Sequence, residues 1–457
     1  MLKIYLDWNI ITHLKDDNDT SKELLNAIRD YHDFFIFPFS AAHLRDLCKG
    51  DKNCPGFKKD QDIMEEICGT HLLEYSKETD SAYPYQCTPN DYLERKREEI
   101  DLFKSGFTEK SFSTLFAKYG LDFTQFTDSL AMIDVPAVDI PYLNICIRNG
   151  KDAFNAVMQL GERFATDDNI SKYIGKYIKD NTTEQQYKDI KLAKADTIFQ
   201  VLDKITIPIA GKAFVDIVRD SMTSQNDSDF FIALYLALSA AGFRIDKKHD
   251  FLNVYSDAEH AYYASKCDIF VTNDSKLAEK AQAIYRYLGN HIQIISSDKL
   301  KQFMIDIAKH EYDFSYLFNE IVPVFGKPKR EEGDLLYYDQ LPYPFYGLFN
   351  LCTEIEVPQC TTKTVALRKV LRQNGFVYFT ELEIFFNCIE YFLDEKDKDV
   401  FRKEYRDVFM SRNKERILKV RFSITLGDYL MQLIADPDSL VPLPLMILTQ
   451  TPAQHDS

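Results

Sequence analysis

Two short apolar runs closed by carboxylates constrain the fold of this 457-residue chain more than any other feature. Residues 2–6 (Leu-Lys-Ile-Tyr-Leu) run straight into Asp7, and residues 269–272 (Ile-Phe-Val-Thr) run into Asn273 and Asp274. Both read as short buried strands that stop at a turn. Residues 34–37 are another, halted by Pro38, and residues 291–295 a further one. Helical patterning fills the intervals. Thr20 or Ser21 is placed to cap one helix and Ser40 the next, which carries His43, Asp46 and Leu47. Residues 229–242 form an apolar helix with a glycine stop. Ser256 with Glu259 three residues on reads as a capping box opening another helix, and residues 275–288 form the last. Short apolar strands alternating with helices predict an α/β fold, a parallel sheet flanked by helices.

The alternation is confined to residues 1–48 and 229–310, which predicts a discontinuous core. Residues 49–228 are dominated by helical periodicity with breaks at Pro84, Pro89, Pro136, Pro141 and Pro208, and read as a large helical insertion lobe. Residues 311–457 read as a mostly helical region whose proline-rich tail, from 436 onward, is disordered.

In a parallel α/β sheet, ligands bind beyond the carboxyl ends of the strands. Asp7 and Asp274 both follow strands and so project into one crevice. Asp46 lies on a helix that starts just after a strand, and Asp257 reads as lying in the first turn of the helix before the Asp274 strand. Carboxylates gathered this way repel one another unless a cation stands between them. Oxygen-only ligands select hard cations, so Mg²⁺ or Mn²⁺ is the expected metal. Taken singly, each acid has a plainer role: a turn at Asp7, a solvated helix face at Asp46, dipole compensation at Asp257, an N-cap at Asp274. No glycine-rich phosphate loop is present, which excludes the usual nucleotide-binding motors.

The joint pattern resembles the PIN-domain nucleases, known widely from bacterial toxin–antitoxin modules. Tyr5-Leu6-Asp7-Trp8-Asn9, Ser40 with His43 and Asp46, Asp257 at a helix, and Val271-Thr272-Asn273-Asp274 carry the likeness. The family more often has Glu where Asp46 stands. The resemblance covers residues 1–48 and 229–300. It implies a metal-dependent endonuclease that leaves a 5′-phosphate and a 3′-hydroxyl, with Asp7, Asp46, Asp257 and Asp274 holding one or two ions. Asn9, Thr272 and Asn273 are candidates to position water or phosphate. His43 and His260, each three residues from an acid on the same helix face, are candidates to touch phosphate or carboxylate, with polar packing as the plainer reading. The expected substrate is RNA and the expected setting a toxin or antiviral defence effector, with an inhibitor or sensor protein and a homo-oligomer as open partners. A DNA-directed nuclease of the same fold and a noncatalytic scaffold binding RNA or protein are the alternatives.

The net charge of −16 argues against nonspecific coating of nucleic acid by the whole surface. A basic run at Arg412, Lys414, Arg416, Lys419 and Arg421 is the candidate phosphate contact, with a solvated mixed-charge face as its plainer reading. No apolar run reaches the ~20 residues of a membrane span, and Met1 leads directly into a strand rather than a leader, so a cytoplasmic location is expected. The nine cysteines are then reduced thiols. Cys48, Cys54, Cys68, His71 and Cys87 admit a structural zinc, but at spacings that fit no common finger.

Overall fold

The computed structural model describes most of residues 2–104, 183–308 and 364–450, with short pieces between 128 and 155 and between 330 and 355. The chain opens with β1 (Leu2–Leu6), α1 (Trp8–His13), α2 (Asp19–Asp30), β2 (Phe35–Ile36), β3 (Phe39–Ser40), α3 (Ala41–Lys49) and α4 (Pro55–Cys68). Then follow β4 (His71–Ser76), β5 (Ser81–Gln86), α5 (Pro89–Lys104), β6 (Asp134–Ile140) and β7 (Ile145–Asn149). The helices α6 (Glu184–Leu192), α7 (Ile198–Ala210), α8 (Phe214–Asp220), α9 (Asp227–Ala240) and α10 (Phe251–Ala264) lead to β8 (Ile269–Val271), α11 (Ser275–Tyr287), β9 (Gln293–Ile295) and α12 (Ser297–Ala308). The remainder comprises β10 (Arg330–Glu332), β11 (Leu335–Tyr337), β12 (Leu351–Ile355), β13 (Thr364–Arg368), α13 (Phe379–Tyr391) and α14 (Glu395–Phe401). A π-helical turn (Arg402–Arg406), α15 (Asp407–Met410), α16 (Lys414–Ile417), β14 (Arg421–Leu426), β15 (Tyr429–Ala435) and β16 (Pro444–Gln450) complete it.

A four-stranded sheet in the order β2-β1-β8-β9 bears out the α/β reading. β1 pairs parallel with β2, and β8 parallel with β9. Every residue of β1 and β8 is buried, as expected of strands covered on both faces.

The chain forms two compact units. One contains Tyr5–Asp16 and Pro38–Ser296; the other contains Met1–Ile4, Asp17–Phe37 and Ser297–Ser457. This differs from the three-part division expected from the sequence, because residues from 49 onward do not stand apart as a lobe. β3 pairs parallel with β4, and β4 antiparallel with β5. α3 packs against α4, α5 and α10. The stretch 49–228, read as dominated by helical periodicity, also contains the strands β4 to β7. Much of 105–182 falls outside the described residues.

The C-terminal reading needs the larger correction. The second unit is built on a five-stranded antiparallel sheet, β12-β13-β16-β15-β14. The segment read as a disordered tail supplies β16, paired on both sides from Pro444↔Ala435 to Gln450↔Tyr429 and along β13. Pro444 is tolerated because it is the first residue of its strand, where a missing N–H costs least. Phe386, Phe401, Tyr405 and Phe409 pack in one aromatic cluster against the sheet residues Leu433 and Met446. Near the start of the chain, Lys3 pairs with Glu381 at 3.1 Å, both fully buried, and the Glu381 carboxylate also accepts the Tyr378 N–H at 2.8 Å.

Candidate active site

Asp7 leaves β1 in an extended conformation and becomes the N-cap of α1, but its side chain makes no cap hydrogen bond. It turns instead toward the end of β8. The Asp7 N–H donates to the Val271 carbonyl at 2.9 Å, and Asp7 Oδ2 accepts the Thr272 hydroxyl at 2.8 Å. The same hydroxyl oxygen accepts the Asp274 N–H at 3.1 Å. One threonine therefore joins the two strand ends and puts Asp7 and Asp274 at the same edge of the sheet. Asp274 also fills its plainer role: Oδ1 accepts the N–H groups of Lys276 and Leu277 at 2.8 and 3.0 Å and caps α11. Such a cap contributes about 1 kcal/mol.

Asp257 stands on α10, in its second turn rather than the first as expected. The Ser256–Glu259 capping box is absent, since the helix already runs from Phe251 and Ser256 spends its hydroxyl elsewhere. Burial, then the negative charge of Asp7, pushes the Asp257 pKa up to about 8; Lys280 and His260 oppose this and Asp274 adds to it. Burial likewise raises Asp7, against the charge of His260 and the Thr272 hydrogen bond, and the negative charge of Asp46 adds to the rise. Asp257 thus senses the charges of Asp7 and Asp274, and the ionised forms of Asp7 and Asp257 are disfavoured in the bare protein.

Lys280 is a member of this group that the sequence reading missed. It is buried, bonds Ser239 Oγ at 3.1 Å and lies 4.4 Å from the Tyr235 ring centroid. Its signal was present: it falls in register with the buried Leu277, Ala281 and Ile284, on the apolar face of α11.

Asp46 behaves differently. Its Oδ2 accepts His260 Nε2–H at 2.9 Å, and its Oδ1 accepts the Ser256 hydroxyl at 2.8 Å and Lys49 Nζ at 2.6 Å. Burial alone would raise its pKa, but the His260 hydrogen bond and charge, then Lys49, hold it well below the usual carboxylate range. His260 is raised: burial works against the cation, and Asp46, then Asp7 and Asp257, outweigh it. His260 Nδ1 meets the Tyr5 hydroxyl at 3.0 Å, and that hydroxyl meets Ser40 Oγ at 2.7 Å.

His43 is the packing residue of its plainer reading. Its Nδ1 accepts the Ser40 N–H at 3.1 Å and its Nε2–H donates to the Leu6 carbonyl at 2.7 Å, which fixes the neutral tautomer. Burial, then the neighbouring His260 charge, drives its pKa down to about 3. Asn9 and Asn273 are exposed.

The other expected sites fare less well. Cys48, Cys54, Cys68 and Cys87 are not joined in disulfides, and His71 Nδ1 bonds the Cys68 carbonyl at 3.1 Å. Among the described residues, no three His, Cys, Asp or Glu side chains are placed to hold a metal ion as they stand, whether zinc at these cysteines or a divalent ion at the acids. The basic run is not one helical face: Lys414 and Arg416 lie on the four-residue α16 and Arg421 starts β14, while Arg412 falls outside the described residues. Among the described residues no helix is long and apolar enough to cross a membrane. No family profile, curated protein or solved structure matches the chain.

Proposed function

We propose that this protein is a metal-dependent endonuclease of PIN-like type acting on RNA. The observation that carries the reading is the Thr272 bridge, which sets Asp7 and Asp274 at one sheet edge, within reach of the charge of Asp257. The raised pKa values of Asp7 and Asp257 support it, because carboxylates whose charge is disfavoured by desolvation and by a neighbouring carboxylate are ones that a divalent cation would stabilise in the ionised form. Asp7, Asp257 and Asp274 would hold Mg²⁺ or Mn²⁺ once their carboxylates turn toward a common point. When bound, the ion lowers the pKa of a water and stabilises the leaving oxygen.

The chain's own residues have separable tasks in that reaction. Thr272 keeps Asp7 and the Asp274 backbone in fixed relation. Lys280 offsets part of the negative charge at Asp257. Asn9 and Asn273, both exposed, are candidates to position a phosphate or an attacking water.

The runner-up is a noncatalytic scaffold of the same fold, favoured by the lack of a ready-made ligand set among the described residues. Incubation with single-stranded RNA and DNA oligonucleotides plus Mn²⁺ or Mg²⁺ separates the readings. The nuclease reading expects metal-dependent RNA cleavage that Asp7→Asn and Asp274→Asn each reduce at least about 100-fold, within the loss seen when a group that stabilises developing charge is removed. Cleavage that persists in both variants would refute it, and cleavage of DNA alone would reassign the substrate.

A further inference from the structure

The sheet β3-β4-β5 lies in the same compact unit as the candidate acids and has no part in the reading above. Its outer strand, β5, reads Ser-Ala-Tyr-Pro-Tyr-Gln. Tyr83 and Tyr85 are 43% and 41% exposed. Two residues apart on a strand, they share one face. Their rings meet edge to face, with centroids 5.8 Å apart and planes inclined by 68°, an arrangement aromatic pairs prefer.

The backbone of β5 offers little to an added strand. The Ala82 N–H points away from β4 and donates to the Tyr262 hydroxyl of α10 at 2.9 Å. The next outward position is Pro84, which has no N–H to give. An added strand would therefore find no donor before Gln86. What β5 offers instead is its pair of rings.

The ground around the rings is polar. Glu74, opposite Tyr83 on β4, pairs with Lys96 of α5 at 3.2 Å. Burial raises the pKa of the Cys87 thiol, just beyond β5; the charge of Arg95 opposes this and Asp91 adds to it, which puts both on the β5 side of α5. Gln86, Asp91, Glu94 and Arg95 are exposed. A protein partner of standard size needs about 800 Å² of contact with an apolar centre, which these neighbours do not supply. A single polynucleotide strand needs aromatic faces for its bases and a cation for its backbone.

We propose that Tyr83 and Tyr85 are a stacking platform for bases of a single-stranded polynucleotide, with Arg95 contacting its phosphate. The nuclease reading above makes that polymer RNA.

The test is fluorescence anisotropy of labelled single-stranded RNA, single-stranded DNA and duplex RNA with the full chain in EDTA, so that no cleavage intervenes. Tyr83→Ala with Tyr85→Ala should weaken single-strand binding about tenfold or more, since losing one stacked base costs roughly 5- to 150-fold. Tyr83→Phe with Tyr85→Phe should restore it. Arg95→Gln should flatten the log–log salt dependence by about 0.7, one phosphate contact on a single strand. Wild type that binds no single strand, or binds duplex better, overturns the proposal. So does unchanged affinity in the alanine variant; if that variant instead alters self-association in sedimentation, the rings belong to a protein interface. Should the alanine pair fail to fold by circular dichroism, Tyr85→Ala alone decides, with at least about a fivefold loss expected and no loss overturning. None of these failures touches the cleavage assay, and binding of this kind without cleavage sinks the nuclease reading alone.

Discussion

His43 and Asp257 are the two residues whose protonation differs most informatively between folded and unfolded chain. The His43 pKa is depressed to about 3, so its contribution to stability is full above the unfolded value of about 6.5 and is lost as pH falls toward the folded value. The expected loss approaches about 1.4 kcal/mol per pH unit. Chemical denaturation at a series of pH values checks this: relative to wild type, His43→Gln has a flatter acid limb. A parallel acid limb would show that His43 does not carry it. Asp257 has the opposite sign. Its folded pKa is raised to about 8, so the metal-free protein loses stability from this group as pH climbs from the unfolded value to that point. Mn²⁺ must displace the proton, so affinity should rise toward pH 8 by about tenfold per unit for one proton released. Asp257→Asn should show little of this dependence; an equal slope in the variant would assign the proton elsewhere.

Elements show where the sequence was legible. β1 and β8 were readable because a strand buried on both faces is uniformly apolar, and a turn follows where the apolar run ends. Asp7, Thr272 and Asp274 were therefore found together. The start of α10 was misplaced because Ser256 and Glu259 imitate a capping box in the middle of a helix. The state of Asp46 was not legible at all, since its partners lie 210 and 214 residues away and only the packing of α3 on α10 brings them near. β16 was hidden by the prolines around it, though its Leu-Met-Ile-Leu run is that of a sheet interior. A chain truncated after Leu443 should lose the cooperative unfolding of the C-terminal unit, because a strand paired on both sides is gone. One truncated after Gln450 should keep it. Differential scanning calorimetry distinguishes them, and equal traces would return the segment to a dispensable tail. In the same unit, Lys3→Ala should cost about 3–5 kcal/mol by leaving Glu381 buried and uncompensated. Adding Glu381→Leu should recover much of that loss, as read by denaturant midpoints.

At the scale of the whole molecule, the charge of −16 sets the terms for any polynucleotide partner. That charge argues against nonspecific attraction by the overall surface, so the nuclease reading calls for local contacts to the polynucleotide. The two compact units share the first strand of the chain: Met1–Ile4 belong to one, and Tyr5 onward, with Asp7, to the other. Sequence periodicity located the parallel sheet but not this division, because helical pattern reports an element's own buried face and not its packing partner. The nuclease reading requires a cation held by Asp7, Asp257 and Asp274. Anomalous diffraction from a crystal soaked in Mn²⁺ tests that most directly. The expected result is a peak ligated by carboxylate oxygens of these three residues at about 2.1 Å, with Asp46 still bonded to Ser256 and His260. A well-occupied peak elsewhere, or none at this edge at saturating Mn²⁺, would contradict it.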